Sequence, residues 1–477
     1  MGISLKKTKI VCTLGPSSRC KDTVRDMLLS GMNVARLNFS HGTHKHHADT
    51  IAMFRKVRDE LGLPAAVMLD TRGPEIRTGE FECPVFLKEG QKYIITTDTI
   101  PGTEASCNIS YAELPKQIKE NGCILIDDGK VRLRVDSTTD KEIYCTVADG
   151  GIVSSHKGVN VPEIPLDMTY ISQKDKEDLL FGIEQDVDYI AASFVRREED
   201  IIALRSFLDI NGGSSIKIIA KIENQEGVKN FKSILNRADG IMVARGDMGV
   251  EIPYELLPGI QKRFIRECYQ SGKIVITATQ LLESMIESKR PTRAEITDVA
   301  NAVFDGTSAV MLSGETASGK YPVESVRTMV KIAEQAEKDA FDLNIYKSLS
   351  PSHDITDITN AISAAACTTA DQMNAKAIIA DTTTGTAARR VSKYRPSQII
   401  IAATPFEKTY HQMSMSWGVY PVLLPKNLDD INALFSAAVE SAKVNGLISV
   451  GDSVVLTAGV PLKIKGNTNM LKVQIVK

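Results

Sequence analysis

Several features of other protein classes are missing from this 477-residue chain. No apolar run approaches the ~18 residues of a membrane-spanning helix, which argues against an integral membrane protein. The eight cysteines form no CxxC pair, and this is typical of a reduced, cytosolic protein rather than of a zinc ribbon or disulfide framework. The net charge is only −2, so the chain lacks the basic excess that binds nucleic acid or anionic membranes.

What is present is the composition of an ordinary globular chain. Hydrophobic residues make up 43% and charged residues 24% of the sequence, and this balance is typical of folded soluble proteins. At roughly 150 residues per domain, the length predicts about three domains. Composition therefore favours a cytosolic multidomain enzyme and excludes secreted, membrane, disordered and strongly nucleic-acid-binding classes.

Short apolar runs rich in Val, Ile and Ala, each ending in polar residues, dominate the first two-thirds of the chain. They occupy residues 9–15, 33–40, 65–71, 188–195, 215–223, 240–247, 273–279 and 308–314. Such runs are typical of strands buried on both faces of a parallel sheet, and the segments between them have the pattern of amphipathic helices. Eight strands alternating with helices predict an α/β fold, the (β/α)₈ TIM barrel.

A long insertion separates the third and fourth runs. Between residues 74 and 167 apolar and polar residues alternate, and Asp128-Gly129 between two such segments is a hairpin signal. The sequence predicts a small β-barrel lid domain that emerges from the third βα loop at the catalytic end. The predicted barrel then comprises residues 1–73 and 168–346, and residues 352–477 form a separate C-terminal α/β domain.

Polar residues follow each predicted strand, where the active site of such a barrel lies. Burying so many charges without function would cost several kcal/mol for each unpaired ion, so we interpret them as a functional site. The residues at these strand ends are Arg36, Asn38, Ser40, Asp70, Arg72, Glu75, Arg77, Lys221, Glu223, Arg245, Asp247, Thr277, Thr279, Ser313 and Glu315.

Residue chemistry indicates the kind of site. Glu223 and Asp247 are hard oxygen ligands that suit Mg²⁺ or Mn²⁺, and Lys221 can place a positive charge on a transferring group. Guanidinium forks that grip phosphate or carboxylate come from Arg36, Arg77 and Arg245. Oxygen donors for a monovalent cation come from Asn38, Ser40, Asp70 and Thr71. Such electrostatic clamping is what phosphoryl transfer requires, and it suggests a metal-assisted enzyme acting on a phosphorylated small molecule.

A dense pattern of seven segments runs through the predicted barrel and the end of its insertion: ARLNFSHG, LDTRGPEIRTG, HKGVNVP, KIENQEG, MVARGDMGVEIP, ITATQLLESM and RPTRAEITDVANAVFDGTSAVMLSGETASGKYP. In this order they resemble the pyruvate kinase family. The β insertion and the C-terminal domain are also similar to that family's lid and effector domains. The resemblance implies a cytoplasmic, homotetrameric glycolytic kinase that transfers phosphate from phosphoenolpyruvate to ADP, giving pyruvate and ATP.

The resemblance also implies roles at the barrel mouth. Glu223 and Asp247 would bind the divalent ion, Mg²⁺ or Mn²⁺, and Lys221 with Arg36 would steady the phosphoryl group in transfer. Thr279 and Ser313 would belong to the network of hydroxyls and water that protonates the enolate. The substrate carboxylate would meet Thr279 and the backbone amides of Ala244, Arg245, Gly246 and Asp247.

For the nucleotide and the monovalent ion the resemblance implies a second set of residues. Glu75 lies where K⁺-dependent members of the family carry a glutamate, which predicts K⁺ dependence. The K⁺ ligands would be Asn38, Ser40, Asp70 and Thr71. The nucleotide would contact Arg77, Lys157 of the lid, Asn38 and His41.

Three further motifs have both a structural and a functional interpretation. The segment from Gly314 to Lys320 is close to a phosphate-binding P-loop, but Tyr321 replaces the final Ser/Thr, and a βα loop explains its glycines. Asp127-Asp128-Gly129 is expected to be a hairpin turn, although lid closure could bring Asp128 towards the nucleotide. A histidine tract, with the members His41, His44, His46 and His47, has a composition typical of metal sites. We expect it instead to be a solvated loop that lines the nucleotide end of the barrel.

The C-terminal domain contains a candidate effector site. A predicted strand leads into a Thr/Gly loop and then a helix that carries Arg389 and Arg390. Backbone N–H groups at a helix N-terminus, together with hydroxyls, form anion sites. An N-capped βα turn with exposed arginines explains the same residues equally well. The family binds phosphorylated activators in this region; here the loop lacks a basic residue, which argues against fructose bisphosphate and leaves another phosphorylated effector open. The loop residues are Thr382, Thr383, Thr384, Gly385 and Thr386.

Two other functions remain open from the residues alone. A metal-dependent lyase of 2-oxo acids could use a similar barrel, but it would not need Lys157 in a lid or the pair Arg36 and Arg77. A non-catalytic effector sensor would be free to lose Lys221 and Glu223, yet both are present. Dependence on ADP distinguishes these alternatives.

Overall fold

Eight parallel strands close into a barrel in the computed structural model, which describes residues 5–162, 164, 166–348, 357–462 and 466–477. Each strand pairs with the next one along the chain, and the eighth pairs with the first. All eight predicted apolar runs are barrel strands, so the fold prediction is confirmed. The strands are Lys9–Thr13, Val34–Asn38, Ala66–Asp70, Tyr189–Ala192, Lys217–Ile222, Gly240–Ala244, Ile274–Ala278 and Ala309–Leu312.

Alternate residues of the strands fill two apolar layers. On the first strand, Val11 packs inside the barrel, whereas Ile10 and Cys12 pack outwards against the helices. Met242 lies in the inner layer and Met248 in the outer layer, and both are buried. Side chains buried on both faces explain why the strands read as continuous apolar runs.

Helices and short 3₁₀ turns surround the barrel. The α-helices are Lys21–Ser30, His44–Glu60, Gln173–Glu184, Glu198–Ile210, Gln225–Lys229, Phe231–Arg237, Arg245–Glu251, Leu257–Gln270, Arg293–Phe304, Gly314–Ala317, Pro322–Asp342 and Ile345–Ser348. The 3₁₀ turns are Pro16–Ser18, Tyr254–Leu256 and Glu283–Ile286. None of the helices in the described ranges is both long enough and apolar enough to cross a membrane.

The insertion after the third strand is an all-β unit, as predicted. Seven of its strands form one sheet and two form a separate ribbon. A bridge between Thr78 and Ile109 joins the two edges of the larger sheet. The strands are Ile76–Arg77, Val85–Leu87, Lys92–Thr96, Ser106–Asn108, Cys123–Ile126, Val131–Thr138, Glu142–Asp149, Gly151–Val153 and Gly158–Asn160, with one short helix, Leu114–Gln117.

The C-terminal part is an α/β unit with a five-stranded sheet, again as predicted. Its first four strands are parallel and the last one is antiparallel. The strands are Ala377–Asp381, Ile399–Thr404, Val419–Leu423, Ser453–Ala458 and Met470–Ile475, and the helices are Ile358–Gln372, Thr386–Ser392, Glu407–Met413 and Ile431–Val444.

The C-terminal unit packs on the end of the barrel where the strands begin. Lys9, at the start of the first strand, donates through Nζ to the carbonyl of Val419 at 2.7 Å. Tyr189, at the start of the fourth strand, donates to the carbonyl of Gln412 at 2.5 Å. The C-terminal ends of the strands are therefore left to face the lid. The residue bounds of the three domains given above stay a prediction.

Candidate active site

Lys221 is the centre of a charge network at the mouth of the barrel. Its Nζ lies 3.0 Å from Oδ1 of Asp70, 2.9 Å from Oε1 of Glu223 and 2.7 Å from Oγ of Ser193. Arg36 completes the network because its Nε contacts Oδ2 of Asp70 at 2.5 Å. The side chains of Asp70 and Glu223 are each 1% exposed. The structure thus brings together four residues that the sequence analysis selected separately at the ends of three strands.

The network fixes the charge of its members. Burial alone would lower the pKa of Lys221, but the carboxylates of Asp70 and Glu223 outweigh burial and raise that pKa above its ordinary value. Burial would likewise raise the pKa of Asp70, yet Arg36 and Lys221 hold it below the ordinary value. Lys221 is therefore expected to stay positively charged at neutral pH, at the C-terminal end of the fifth strand.

Glu223 and Asp247 form a pair of carboxylates beside Lys221. Burial and then the charge of Asp247 raise the pKa of Glu223, while burial and the charge of Asp128 raise the pKa of Asp247. Phe194 fixes the outer oxygen of Glu223 through its backbone N–H at 2.6 Å. Two carboxylates that repel each other in a buried site suit a cation between them.

The donor set fits a magnesium-type ion. Within the described residues no group of three or more His, Cys, Asp or Glu side chains has metal-site geometry. Glu223 and Asp247 are two hard oxygen donors that, together with water and substrate oxygens, would suit Mg²⁺, and the metal site stays a prediction.

A helix begins directly after the sixth strand and presents its first N–H groups to the site. The helix Arg245–Glu251 follows Ala244 without a loop, and the N–H of Gly246 donates to Oγ1 of Thr279 at 2.8 Å. Thr279 itself has a φ of +70°, a left-handed conformation that is strained for a β-branched residue. N–H groups in the first turn of a helix have no partner within the helix, so they are suited to an anion.

The sequence analysis expected the guanidinium of Arg245 to grip phosphate or carboxylate, but in the structure this group binds protein atoms. It donates to Oδ1 of Asp298 at 2.8 Å and to the carbonyl of Thr279 at 2.5 Å. The fork therefore braces the sixth and seventh strand ends instead of offering a free grip for phosphate. What Arg245 contributes to the predicted carboxylate pocket is its backbone N–H.

Ser313 lies at the end of the eighth strand. Its N–H donates to Oε2 of Glu315 at 2.7 Å, and Glu315 also accepts from the N–H of Leu282. Between the hydroxyls of Ser313 and Thr279, both in the described part of the chain, no direct hydrogen bond is found. Their predicted joint role in proton delivery thus requires a bridging group such as water.

The predicted K⁺ ligands lie at the ends of the second and third strands. Asn38 and Asp70 are register neighbours there, and the N–H of Ser40 donates to Oδ1 of Asn38 at 3.1 Å. The hydroxyl of Thr71 accepts from the N–H of Ser193 at 3.1 Å. Asp70 is shared with Arg36 and Lys221, so the potassium site stays a prediction.

A cavity of about 770 Å³ lies between the lid and the barrel mouth. The Arg77 guanidinium forms a two-pronged contact with Glu75, at 2.7 and 2.8 Å, and Lys157 Nζ lies 2.9 Å from Oδ1 of Asp127. The lid touches the barrel where Asn160 donates to Oε1 of Glu251 at 3.1 Å. Among the cavity's lining residues are His41, Arg77, Asp127, Asp128, Lys157 and Asp247.

The expectation of a solvated histidine loop is wrong for most of the tract. The helix His44–Glu60 begins within it, because Thr43 caps the first turn through Oγ1 and the N–H of His46. His47 stacks on Phe39 with ring centroids 4.1 Å apart, and His44 contacts Asp178 at 2.5 Å. Only His41 of the tract lines the cavity.

The Asp127-Asp128-Gly129 motif fits both of its interpretations. All three residues have positive φ, between 53° and 80°, and connect the strands Cys123–Ile126 and Val131–Thr138. The two aspartates also line the cavity beneath the lid. The segment from Gly314 to Lys320 begins with the short helix Gly314–Ala317 after the eighth strand, as the βα-loop interpretation predicts.

Sequence reasoning missed Ser193. Its hydroxyl accepts from Lys221 and donates to the carbonyl of Thr71 at 2.6 Å, so it holds the lysine against the third strand. The signal was its position directly after the fourth strand, as the first polar residue after the apolar segment IAA of the run DYIAASFV.

The Thr/Gly loop of the C-terminal unit lines a small cavity of about 50 Å³. The N–H of Gly385 donates to Oγ1 of Thr382 at 2.9 Å, and the hydroxyls of Thr384 and Thr386 are 3.0 Å apart. Burial raises the pKa of the adjacent Asp381 to about 6. The loop therefore groups hydroxyls around a cavity, and its effector role stays a prediction.

Comparisons with known proteins agree along the whole chain. A family model described as the barrel domain of pyruvate kinase matches residues 5–326, and the model of the pyruvate kinase alpha/beta domain matches residues 360–474. The pyruvate kinase of Clostridium acetobutylicum is 48% identical over 477 residues, covering 99% of this chain and 100% of its own. That of Geobacillus stearothermophilus is 46% identical over 474 residues, covering 99% and 80%. The crystal structure of a pyruvate kinase from Cryptosporidium parvum matches with a TM-score of 0.93 at 40% identity, covering 100% of this chain and 97% of its own.

Proposed function

The chain belongs to the pyruvate kinase family of phosphotransferases, and from that membership we propose that it transfers phosphate from phosphoenolpyruvate to ADP. An oxygen of the ADP β-phosphate attacks phosphorus, the bond from phosphorus to the enol oxygen breaks, and the resulting enolate is protonated at carbon to give pyruvate. The observation that carries this proposal is the buried cation Lys221, held between Asp70 and Glu223 beneath the lid cavity.

Lys221 and Arg36 stabilise the phosphoryl group during transfer. Because the pKa of Lys221 is raised by its carboxylate neighbours, it donates hydrogen bonds and charge without changing its protonation state. Arg36 lies on the other side of Asp70, so the two cations present charge from neighbouring directions. Fixed charges of this kind stabilise the transition state without reorganising.

Glu223 and Asp247 would hold Mg²⁺ or Mn²⁺. When bound, the ion supplies positive charge for the oxygens that become more negative during transfer. The N–H groups at the start of the helix Arg245–Glu251, with Ala244 and Thr279, receive the substrate carboxylate. Thr279 and Ser313 orient the group that protonates the enolate.

The lid supplies the nucleotide contacts. Lys157 and Arg77 line the cavity from the lid side and His41 lines it from the barrel, while Asn38, at the end of the second strand, is the fourth proposed contact. Closure of the lid over the bound nucleotide excludes water, which protects the transferring phosphate from hydrolysis. The Asn160–Glu251 hydrogen bond connects the lid to the barrel, so we expect it to change when the lid closes.

Activity is expected to depend on K⁺. The proposed ligands are Asn38, Ser40, Asp70 and Thr71, and the residue whose presence predicts the dependence is Glu75, which pairs with Arg72 and Arg77. The test is pyruvate formation from phosphoenolpyruvate and ADP with Mg²⁺, in KCl and in tetramethylammonium chloride of equal ionic strength. We expect ADP-dependent turnover that falls roughly tenfold or more without K⁺.

The potassium proposal and the proposed reaction would each be contradicted by a different result of this assay. Equal rates in the two salts would contradict the potassium proposal but leave the reaction intact. Absence of ADP-dependent pyruvate formation would contradict the reaction itself. Cleavage of a 2-oxo acid without ADP would instead support the lyase alternative.

A phosphorylated activator is proposed to bind at the Thr382–Thr386 loop. Thr384→Glu places a carboxylate next to the hydroxyl of Thr386, so it is expected to abolish activation by sugar phosphates or nucleoside monophosphates and to leave basal turnover intact. Thr368→Glu adds the same charge to an exposed position of the same unit and is the control. Full activation of the Thr384→Glu variant would contradict the proposal. Assembly into a homotetramer and a cytoplasmic location also stay predictions.

A further inference from the structure

Two buried hydroxyl groups contact the two cations at the barrel mouth. The hydroxyl of Thr13, at the end of the first strand, accepts from Nη1 of Arg36 at 2.8 Å. The hydroxyl of Ser193, directly after the fourth strand, accepts from Nζ of Lys221 at 2.7 Å. Thr13 is 5% exposed and Ser193 is 2% exposed, so bulk water does not compete for either contact.

The direction of both hydrogen bonds is fixed, because a hydroxyl has one proton and each of these two already donates it. Thr13 donates to the carbonyl of Leu312 at 3.0 Å. Ser193 donates to the carbonyl of Thr71 at 2.6 Å, which is closer than Oδ1 of Asp70 at 3.2 Å. Guanidinium and ammonium groups only donate, so they meet the lone pairs of the two hydroxyls. Each hydroxyl therefore ties a cation to the backbone of a neighbouring strand end.

The backbone around Thr13 holds its hydroxyl in place. Thr13 is the register partner of Arg36 on the second strand, and the next residue, Leu14, donates its N–H to the carbonyl of Arg36 at 2.9 Å. The carbonyl of Thr13 accepts from the hydroxyl of Thr316 at 2.9 Å, in the short helix after the eighth strand. The first strand is thus fixed to both of its neighbours at the point where Thr13 meets Arg36.

Ser193 is held in a similar way. Its N–H donates to Oγ1 of Thr71 at 3.1 Å, and its carbonyl accepts from the hydroxyl of Tyr170 at 3.0 Å. Gly73 packs directly against it: a Cβ at Gly73 would lie 2.9 Å from Cβ of Ser193. A backbone and side chain packed this tightly leave the hydroxyl of Ser193 one position.

The contact with Thr13 also fixes the part of Arg36 that faces no protein group. Nε of Arg36 contacts Oδ2 of Asp70 at 2.5 Å, and Nη1 donates to Thr13. Because a guanidinium is planar, bonds at these two nitrogens also determine where the third, Nη2, lies. Within the ranges that the structure describes, no hydrogen bond from Nη2 of Arg36 is found. This nitrogen is therefore held at a fixed point and is available to a ligand.

We propose that Thr13 and Ser193 are positioning residues for phosphoryl transfer, which hold Arg36 and Lys221 at fixed points without reducing their charge. The inference rests on the proposed function, in which these two cations stabilise the transferring phosphoryl group. A carboxylate in either place would also hold the cation but would cancel its charge, whereas a hydroxyl is a neutral acceptor. Fixed charges are the ones that stabilise a transition state without reorganising.

Thr13→Val tests the first of the two contacts. Valine has nearly the shape of threonine and suits a strand, but it offers no acceptor to Arg36. We expect kcat to fall roughly tenfold, the scale of one hydrogen bond to a charged group. KM for phosphoenolpyruvate should change less than about threefold, because the guanidinium keeps its contact with Asp70. Thr13→Ser restores the hydroxyl and should recover most of the lost kcat.

Thr8→Val is the matched control for that variant. Thr8 directly precedes the strand that Thr13 ends, it is fully buried, and its hydroxyl has no hydrogen-bond partner among the described residues. The control makes the same substitution at the far end of the same strand. It should leave kcat within about twofold of the unchanged protein.

Ser193→Ala tests the second contact independently. Lys221 keeps both of its carboxylate neighbours in this variant but loses the acceptor that fixes its third N–H, so kcat should again fall roughly tenfold. Ser308→Ala is its control: Ser308 lies just before the eighth strand, at the other end of the barrel, and its hydroxyl accepts from the N–H of Val275 at 3.2 Å. The control's kcat should stay within about twofold of the unchanged protein.

Double-mutant cycles show whether the two hydroxyls act through the cations. When Arg36→Met has already removed the guanidinium, adding Thr13→Val should change kcat by less than about twofold. When Lys221→Met has already removed the ammonium, Ser193→Ala should likewise have little further effect. A hydroxyl that only stabilised the fold would lower kcat by the same factor whether or not its cation is present.

The results separate this proposal from the proposed function. If the unchanged protein forms no pyruvate from phosphoenolpyruvate and ADP, the function and the positioning roles fail together. If it does, normal kcat in Thr13→Val and Ser193→Ala overturns only the positioning roles, and so do losses that persist without the cations. Losses that require the cation, and that Thr13→Ser reverses, support the proposal. The two hydroxyls are tested separately, so one variant that fails to fold leaves the other to decide.

Discussion

Replacing Lys221 with methionine is expected to lower kcat by roughly 10³-fold, the scale on which one preorganised charge contributes to a transition state. The ammonium lies within 3.0 Å of both Asp70 and Glu223, at the end of the barrel where the phosphoryl group is proposed to move. Methionine keeps the length of the side chain but supplies neither charge nor hydrogen bonds. KM for phosphoenolpyruvate should change far less than kcat, because the interaction is strongest in the transition state.

The same substitution also removes the counter-charge of two buried carboxylates. Asp70 keeps Arg36, but Glu223 keeps only the N–H of Phe194. Breaking a buried ion pair costs about 3–5 kcal/mol, so the variant's thermal midpoint is measured alongside its kinetics. Addition of Mg²⁺ should recover part of that stability, since the ion would replace the missing positive charge.

Lys217→Met is the matched control for this experiment. Lys217 is the first residue of the strand Lys217–Ile222, which also contains Lys221, and it pairs with Asp239 at 3.3 Å at the far end of the barrel. The control deletes the same charge from the same strand and should leave kcat within about twofold of the unchanged protein. A Lys221→Met variant that kept normal kcat would contradict the assigned role.

The barrel and the residues at its mouth could be predicted because their signals lie in short, continuous stretches of the sequence. Strands buried on both faces leave continuous apolar runs, and every run in a parallel barrel ends at the same face. Arg36, Asp70 and Lys221 could therefore be grouped before any distance was known. The register that places Asn38 beside Asp70 follows from the same geometry.

Other features depend on contacts between distant segments and could not be predicted from the sequence. The fork of Arg245 is occupied by Asp298, 53 residues further along the chain, which only the packing of that helix determines. Ser193 was one polar residue at a strand end, without charge to single it out. The contact of Lys9 with the carbonyl of Val419 joins two folding units, so no single motif contains it.

The histidine tract is the opposite case: a local helix-capping signal was present in the sequence, but the composition of the tract was given more weight. Thr43 lies within the tract, directly before His44, and is a favoured helix N-cap residue; its hydroxyl does accept from the N–H of His46. The composition of the tract predicted a loop, whereas the N-cap residue Thr43 predicts that a helix begins at His44. Capping residues are therefore better evidence than residue type for where a loop ends.

Asp247→Asn is expected to weaken divalent-ion binding by roughly 10–100-fold, since the neutral amide is a poor ligand for a hard cation. The substitution keeps the size of the side chain and removes the repulsion that raises the pKa of its neighbour Glu223. Mn²⁺ titration followed by electron paramagnetic resonance measures the change without any turnover. The Mg²⁺ concentration for half-maximal activity should rise by a similar factor.

Glu226→Gln serves as the control for this experiment. Glu226 lies on the wall of the same cavity, so its substitution changes the local charge equally without touching the carboxylate pair. Its Mn²⁺ affinity should stay within about twofold of the unchanged protein. If Asp247→Asn bound Mn²⁺ normally while kcat still fell, Asp247 would act on the substrate rather than on the metal, and Glu223 would remain as the chain's sole proposed ligand.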